Sequence, residues 1–123
     1  MNREEFRKSF VEAWEAIDED ADSSKFPEIA VPTLENLYRA FDDEQRNIAD
    51  QIIAEFVTSS DPGKQFDALA LVRTFKIRTA LPQLLELEAS CKRRVRRSWI
   101  RSDPTAPNDL EEVRRVIQAL KEP

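Results

Sequence analysis

Apolar side chains recur with the spacing of an α-helix along almost the whole chain, and no segment shows the polar–apolar alternation of a half-buried strand. In the first segment, Phe6, Phe10, Trp14 and Ile17 lie on one stripe of a helix. Similar stripes run through residues 34–41, 48–57, 66–75, 84–95 and 110–120. We therefore predict an all-α fold of five to six antiparallel helices, stacked in one domain that spans residues 1–123.

Capping residues predict where these helices begin. The strongest signals are Asn2 with Glu5, Asp42 with Gln45, and Asp61 before Pro62. The first two pairs have the spacing of a capping box, and the third places proline at the first helical position behind an Asp cap. Weaker signals place the remaining starts at Pro32 or Thr33, at Thr79, and at Asn108 with Glu111. Residues 23–31 and 102–107 are predicted to be connectors.

The predicted core takes large apolar residues from the helical stripes. The segment that follows Pro62 has the most continuous apolar composition, and we expect it to be the most buried helix. The predicted core residues are Phe6, Trp14, Ile52, Phe56, Phe66, Leu69, Phe75, Leu84 and Leu87.

Three residue counts exclude most kinds of catalytic site. The chain has no His, which excludes Ser-His or Cys-His nucleophile pairs and His-ligated metals. Cys91 is the single cysteine, so neither an intrachain disulfide nor a Cys-rich zinc site can form. Gly63 is the single glycine, which excludes a glycine-rich phosphate loop. We expect no catalytic residue, no cofactor and no bound metal.

The sequence predicts a cytoplasmic protein that does not enter the membrane. No signal peptide pattern follows Met1, and no stretch approaches 18 consecutive apolar residues. A single unpaired cysteine fits a reducing compartment.

Charge is distributed unevenly along the chain. Residues 1–61 carry 6 basic and 16 acidic side chains, whereas residues 62–123 carry 13 basic and 8 acidic ones. Overall the net charge is −5, which repels nucleic acid at long range. The densest acidic run, here named the acidic run, is Glu12, Glu15, Asp18, Glu19, Asp20 and Asp22. The densest basic run, named the basic run, is Lys92, Arg93, Arg94, Arg96, Arg97 and Arg101, around Trp99.

The acidic run is the first candidate binding surface. Glu12, Glu15 and Glu19 share a helix face, which would speed encounter with a cationic partner and could occlude its basic groove. The alternative is a solvated helix face without a partner. The Asp18-x-Asp20-x-Asp22 spacing resembles a calcium loop, but Ser23 and Ile29 occupy the positions that need Gly and Glu, so no calcium site is expected.

The basic run has three open interpretations. Lys92, Arg93, Arg94, Arg97 and Arg101 could grip phosphates while Trp99 stacks on a base. The same cations could instead complement the dipole at the C-terminal end of the fifth helix. A third interpretation is attraction to the acidic half of a second copy, which would give a head-to-tail dimer.

Asp67 stands inside an apolar run, between Phe66 and Ala68. A carboxylate at such a position must be paired, exposed at a groove, or shifted in pKa. The expected partners are Arg73, Arg78 or a backbone N–H, and the sequence offers no evident second carboxylate or His for general acid catalysis.

Internal similarity favours a repeat, the alternative being the likeness that any two amphipathic helices share. Residues 30–37 match residues 80–87 in Ala, Pro and two Leu, and residues 42–56 match 61–75 in the first Asp, an Ala, an apolar pair and the final Phe. The segment 61–90, with its Asp-opened helix and the Ala-Leu-Pro that begins the next, resembles a HEAT-type repeat. The resemblance covers about residues 30–121 and implies a right-handed helical stack that serves as a binding scaffold.

These features together predict a non-catalytic protein-binding module. The size, charge and helical pattern also resemble the small helical immunity proteins of bacterial toxin–immunity pairs. That resemblance implies neutralisation of a cognate toxin by occlusion with a charged face. The alternative is a nucleic-acid-binding helical domain that uses the basic run.

Overall fold

The fold is all-α, as predicted. A computed structural model describes residues 2–23, 27–101 and 106–122, with the backbone alone for 27, 97–101 and 106–108. In these ranges there are six α-helices and no strands: α1 (Arg3–Ser23), α2 (Ala30–Arg39), α3 (Asp43–Val57), α4 (Pro62–Phe75), α5 (Leu81–Arg101) and α6 (Ala106–Lys121). Short 3₁₀ turns at Pro27–Ile29 and Arg78–Ala80 lead into α2 and α5.

The three strongest capping predictions are confirmed. The Asn2 side chain accepts from the backbone N–H of Glu5 at 2.8 Å, and the Glu5 carboxylate accepts from the N–H of Asn2 at 3.4 Å. Asp42 and Gln45 form the same reciprocal pair at the start of α3. These starts could be predicted because each cap depends only on residues three positions apart.

Asp61 caps the N-terminus of α4, which begins at Pro62. Its carboxylate accepts from the backbone N–H groups of Gly63 and Lys64, at 2.9 and 3.4 Å. Asp61→Ala is therefore expected to lower the free energy of unfolding by about 1 kcal/mol, because those two donors lose their acceptor. Asp61→Ser, which keeps a capping oxygen, should lose less. Urea denaturation of both variants measures the difference, and equal losses would contradict the capping role.

Three other predicted starts are wrong: those at Pro32 or Thr33, at Thr79 and at Asn108. Helix α2 begins at Ala30, two residues before Pro32, because the 3₁₀ turn at Pro27–Ile29 runs directly into it. Thr79 does not cap α5: it lies within the second 3₁₀ turn, after Lys76 takes a left-handed conformation with φ of 51°.

The connector before α6 is shorter than predicted. Ala106 and Pro107 belong to α6 rather than to the predicted loop, and Asn108 lies within the helix instead of capping it. A proline in the first turn of a helix breaks no hydrogen bond, so α6 can begin ahead of it. The predicted connector residues 24–26 and 102–105 lie outside the described residues.

Each helix packs mainly on helices that are adjacent to it in sequence or separated from it by one other helix. Helix α5 packs chiefly on α6 and α3 chiefly on α4, while α1 contacts both α2 and α3, and α4 also contacts α2 and α6. Both copies of the Ala-x-Pro similarity have the same local structure, a 3₁₀ turn followed by a helix with proline in its first turn. The HEAT-type arrangement itself stays a prediction.

The core prediction is largely confirmed, with one clear error. Among the predicted residues, Phe6, Trp14, Ile52 and Leu84 are buried, whereas Phe56, Leu69, Phe75 and Leu87 are partly buried against the core. Phe66 was predicted to be buried and is 67% exposed. Its position two residues before Ala68 turns it about 200° around α4, away from the buried stripe of Ala68, Leu71 and Val72.

Within the part of the chain that the structure describes, no helix has the length and apolar character needed to cross a bilayer.

Candidate functional site

A cavity of about 520 Å³ lies where the C-terminal half of α1 meets the start of α2 and the N-terminal half of α4. Its apolar wall is formed by Ala21, Ala30, Val31, Pro32, Phe66 and Ala70. Among the described residues that line it, the charged ones are carboxylates: Asp18 and Asp22 on α1, Glu28 before α2, Asp61 just before α4 and Asp67 on α4. An apolar cavity bordered by one sign of charge favours a ligand that combines apolar surface with positive charge.

Phe66 is the most exposed of the large apolar side chains in the described residues, and it stands at the edge of this cavity. On its other side Phe66 also borders two further cavities of about 470 and 350 Å³, which extend toward α5 and α6. The ring is therefore a ridge with a depression on each side. Aromatic residues are enriched in protein interfaces, so this ring is a candidate contact for another molecule.

Asp67 lies on the cavity wall and is 4% exposed. The indole N–H of Trp14 donates to its Oδ2 at 3.2 Å, and the Asp18 carboxyl lines the same cavity. The predicted partners Arg73 and Arg78 are wrong. The observed partner, Trp14, belongs to α1 and lies 53 positions away in the sequence, so no local pattern could have identified it.

Burial raises the pKa of Asp67 to about 8, and the Asp18 carboxyl beside it contributes further to the increase. The Trp14 hydrogen bond acts in the opposite direction, because it stabilises the carboxylate. Asp67 is therefore expected to hold a proton at neutral pH.

A protonated carboxyl beside a second one is an arrangement that general acid–base catalysis can use. Such catalysis needs contact with a substrate, whereas Asp67 is almost fully enclosed by its own fold. In the described residues, no group of three or more Asp, Glu or Cys side chains is arranged to hold a metal ion. The arrangement is suited to holding a proton inside the wall of a binding cavity.

The structure divides the acidic run into two sets. Asp18 and Asp22 line the cavity, whereas Glu15 is bonded to Lys64 of α4 at 3.1 Å. Glu12 lies 4.0 Å from Lys8 on its own helix, and Glu19 and Asp20 are exposed. The face predicted from Glu12, Glu15 and Glu19 is thus partly neutralised, and the cavity adds Glu28 and Asp61 from elsewhere in the chain.

The basic run is partly neutralised by the fold. Lys92 pairs with Glu88 at 3.7 Å, and Arg94 of α5 pairs with Asp109 of α6 at 2.9 Å. Arg93 and Arg96 are exposed. The side chains of Arg97, Trp99 and Arg101 lie outside the described residues.

Comparisons with protein-family models, with curated proteins and with solved structures each found no match to this chain. The interpretation of the site therefore rests on its own residues.

Sequence reasoning missed the cavity but contained a signal for it. The Phe66-Asp67 pair places a carboxylate beside a large ring inside an apolar segment, where burial favours the ring and opposes the charged group. The structure resolves this conflict by exposing Phe66 and burying Asp67.

Proposed function

We propose that this protein is a non-catalytic module that binds a basic protein partner on the acidic cavity between α1, α2 and α4, with Phe66 as the central contact. The observation that carries the proposal is the 67% exposed Phe66 ring at the edge of a 520 Å³ cavity bordered by carboxylates. The cavity and this ring together form what we call the docking surface.

Charge supports a basic partner. Asp22, Glu28 and Asp61 are exposed at the docking surface, and the first half of the chain is strongly acidic. Complementary charge increases the rate of encounter and excludes acidic competitors, while the buried contacts supply most of the affinity. A lysine or arginine of the partner can place its apolar stem along the alanine-rich wall and its charged end beside the carboxylates.

The aromatic ridge supports a protein rather than a nucleic acid. On the side of the acidic cavity, the residues around Phe66 are mainly apolar or acidic, and these carboxylates would repel a phosphate backbone. The alternative nucleic-acid surface, the basic run, has Lys92 and Arg94 engaged in ion pairs within the fold. Protein binding is therefore the better supported of the two functions.

Neutralisation of a toxin domain by occlusion, as in the small helical immunity proteins, is the specific form of this function that we propose, with a cytoplasmic location. A toxin that acts on nucleic acid has a basic active-site groove, and the docking surface has the charge that would cover such a groove. A second copy of this chain, presenting its own basic run, is the competing occupant.

Two matched charge reversals test which acidic set binds the partner. Asp22→Lys/Glu28→Lys changes two exposed carboxylates of the docking surface, and Glu12→Lys/Glu19→Lys makes the same charge change elsewhere on α1. We expect the first variant to weaken binding at least tenfold and the second to change it about threefold or less, because rim charges act mainly on association rate.

The measurement begins with capture from a native-cell lysate by the immobilised chain. The captured protein is identified, purified and titrated calorimetrically against both variants at two salt concentrations. The proposal requires a basic partner that the docking-surface variant binds weakly. Equal binding by the two variants would overturn it, as would a gel shift at low salt that detects tight DNA or RNA binding. Concentration-dependent sedimentation without a captured partner would identify a second copy as the occupant and likewise contradict it.

A further inference from the structure

Phe66 separates two cavities whose linings differ in charge. One is the acidic cavity of about 520 Å³, and the other is a cavity of about 350 Å³ between α4, α5 and α6, here named the three-helix cavity. Because Phe66 lines both cavities, a partner that covers this ring can reach into both of them.

The base of the three-helix cavity is apolar. Cys91 and Val113 are each 2% exposed, and Leu69 and Leu87 are partly buried against the core. Burial raises the pKa of the Cys91 thiol, which therefore stays uncharged at neutral pH and behaves as a small apolar group. A side chain that enters this cavity meets apolar surface from all three helices.

The charged residues of the three-helix cavity are paired within the fold. Among the described residues that line it, the charged ones are Arg94, Asp109 and Glu112. Arg94 donates to Asp109 at 2.9 Å, and Arg115, which also pairs with Glu111, lies 3.7 Å from Glu112. Each carboxylate at this cavity therefore has an arginine within ion-pair distance. A charged side chain would lose its hydration on entry, whereas an apolar side chain would gain free energy from burial.

The acidic cavity has a different lining. The described residues that line it include the carboxylates of α1, of α4 and of the segments before α2 and α4, and none of these residues is basic. Unbalanced negative charge beside an apolar wall favours a lysine or arginine side chain, whose stem packs on the wall. The two cavities therefore favour side chains of different chemistry.

We infer that the three-helix cavity is a second binding subsite, which takes an uncharged apolar side chain of the same partner that places a lysine or arginine in the acidic cavity. Phe66 lies between the two subsites and is covered by the part of the partner that joins them. The identity of the partner rests on the proposed function, whereas the preference of the three-helix cavity for an apolar side chain does not. Recognition then requires a basic and an apolar side chain on one face of the partner, a stricter requirement than charge alone.

The direct test uses two blocked amino acids as probes, N-acetyl-leucine methylamide and N-acetyl-arginine methylamide. Each is titrated into the ¹³C-methyl-labelled wild-type chain and followed by NMR. We expect the leucine probe to shift the methyl resonances of Leu69, Leu87 and Val113 at roughly millimolar concentration, as is usual for ligands of this size. The arginine probe should instead shift the methyl resonances of Val31 in the acidic cavity. N-acetyl-alanine methylamide, which has the same blocked backbone, is the control and should shift neither set.

The two probes separate the two hypotheses. A leucine probe that leaves the methyl groups of the three-helix cavity unchanged would overturn the second subsite, as would an arginine probe that binds there equally well. An arginine probe that does not reach the acidic cavity would count against the proposed function instead and leave the second subsite standing.

A variant that fills the three-helix cavity tests its part in partner binding. Ser90 is half-buried and lines this cavity, so the side chain of Ser90→Leu should occupy the subsite from within. We expect this variant to lose the response to the leucine probe and to bind the captured partner about tenfold or more weakly. Ala89→Leu adds the same side chain at the neighbouring exposed position and should keep both properties of the wild type.

Affinities for the captured partner also distinguish the two failures. Binding that is weakened by Asp22→Lys/Glu28→Lys but is unchanged by Ser90→Leu would retain the proposed function and refute the second subsite. Binding that is weakened by Ser90→Leu but is unchanged by the charge reversal would do the reverse. The probe titration of the wild-type chain decides the inference if Ser90→Leu does not fold.

Discussion

Replacing Trp14 by alanine is expected to lower the free energy of unfolding by about 3–5 kcal/mol, the largest effect of any single substitution in the described core. The side chain is fully buried and contacts aromatic rings from its own helix and from α3. Its loss leaves a large cavity and removes the N–H donor to Asp67. For a domain of this size the Tm should fall by roughly 10–20 °C.

The comparison with Trp14→Phe separates packing from hydrogen bonding. Phenylalanine keeps aromatic contact with Phe10 and Phe56 but cannot donate to Asp67, so an intermediate loss is expected. Thermal and urea denaturation, followed by circular dichroism, measure both variants. If Trp14→Ala cost less than about 1 kcal/mol, the packing of α1 on α3 and α4 would be wrong.

Replacing Phe66 by alanine should have the opposite pattern, with little effect on stability and a large effect on binding. The ring is 67% exposed, so the free energy of unfolding should change by about 0.5 kcal/mol or less. A central aromatic contact in an interface contributes about 2–4 kcal/mol, which corresponds to a loss of roughly 30- to 1000-fold in affinity for the captured partner.

Leu85→Ala is the matched control for Phe66→Ala. Leu85 is another large apolar side chain on the surface, 48% exposed, and it lies on α5 away from the acidic cavity. Calorimetric titration of the purified partner should find wild-type affinity for this variant. Similar losses of affinity for the two variants would indicate nonspecific hydrophobic binding rather than a docking surface centred on Phe66.

Local features of the sequence were sufficient to predict the helices and the first residues of three of them. The apolar periodicity and the helix caps each depend on residues within one or two helical turns. Asn2, Asp42 and Asp61 cap their helices as predicted. The predicted helix start at Thr79 is wrong because the left-handed Lys76 and a 3₁₀ turn precede α5. A capping rule does not include either feature.

The site could be predicted only in part. Asp18 and Asp22 were recognised as members of an acidic surface, but their separation from Glu12 and Glu15 depends on where Lys64 and α4 lie. Phe66 was misplaced because α4 is apolar on most of its circumference, so hydrophobicity alone does not select its buried side. The hydrogen bond from Trp14 to Asp67 joins distant parts of the chain and follows from tertiary packing alone.

Residues in the wall of the cavity and residues at its rim differ in whether folding depends on their side chains. Asp61 and Asp67 are tied to the helix start and to the core, so substitution at either position disturbs folding. Asp22, Glu28 and Phe66 are exposed at the same cavity, and among the described residues they neither cap a helix nor lie in the core. Specificity can therefore diverge, in evolution or by engineering, through exchanges at these three positions while the scaffold beneath them stays unchanged.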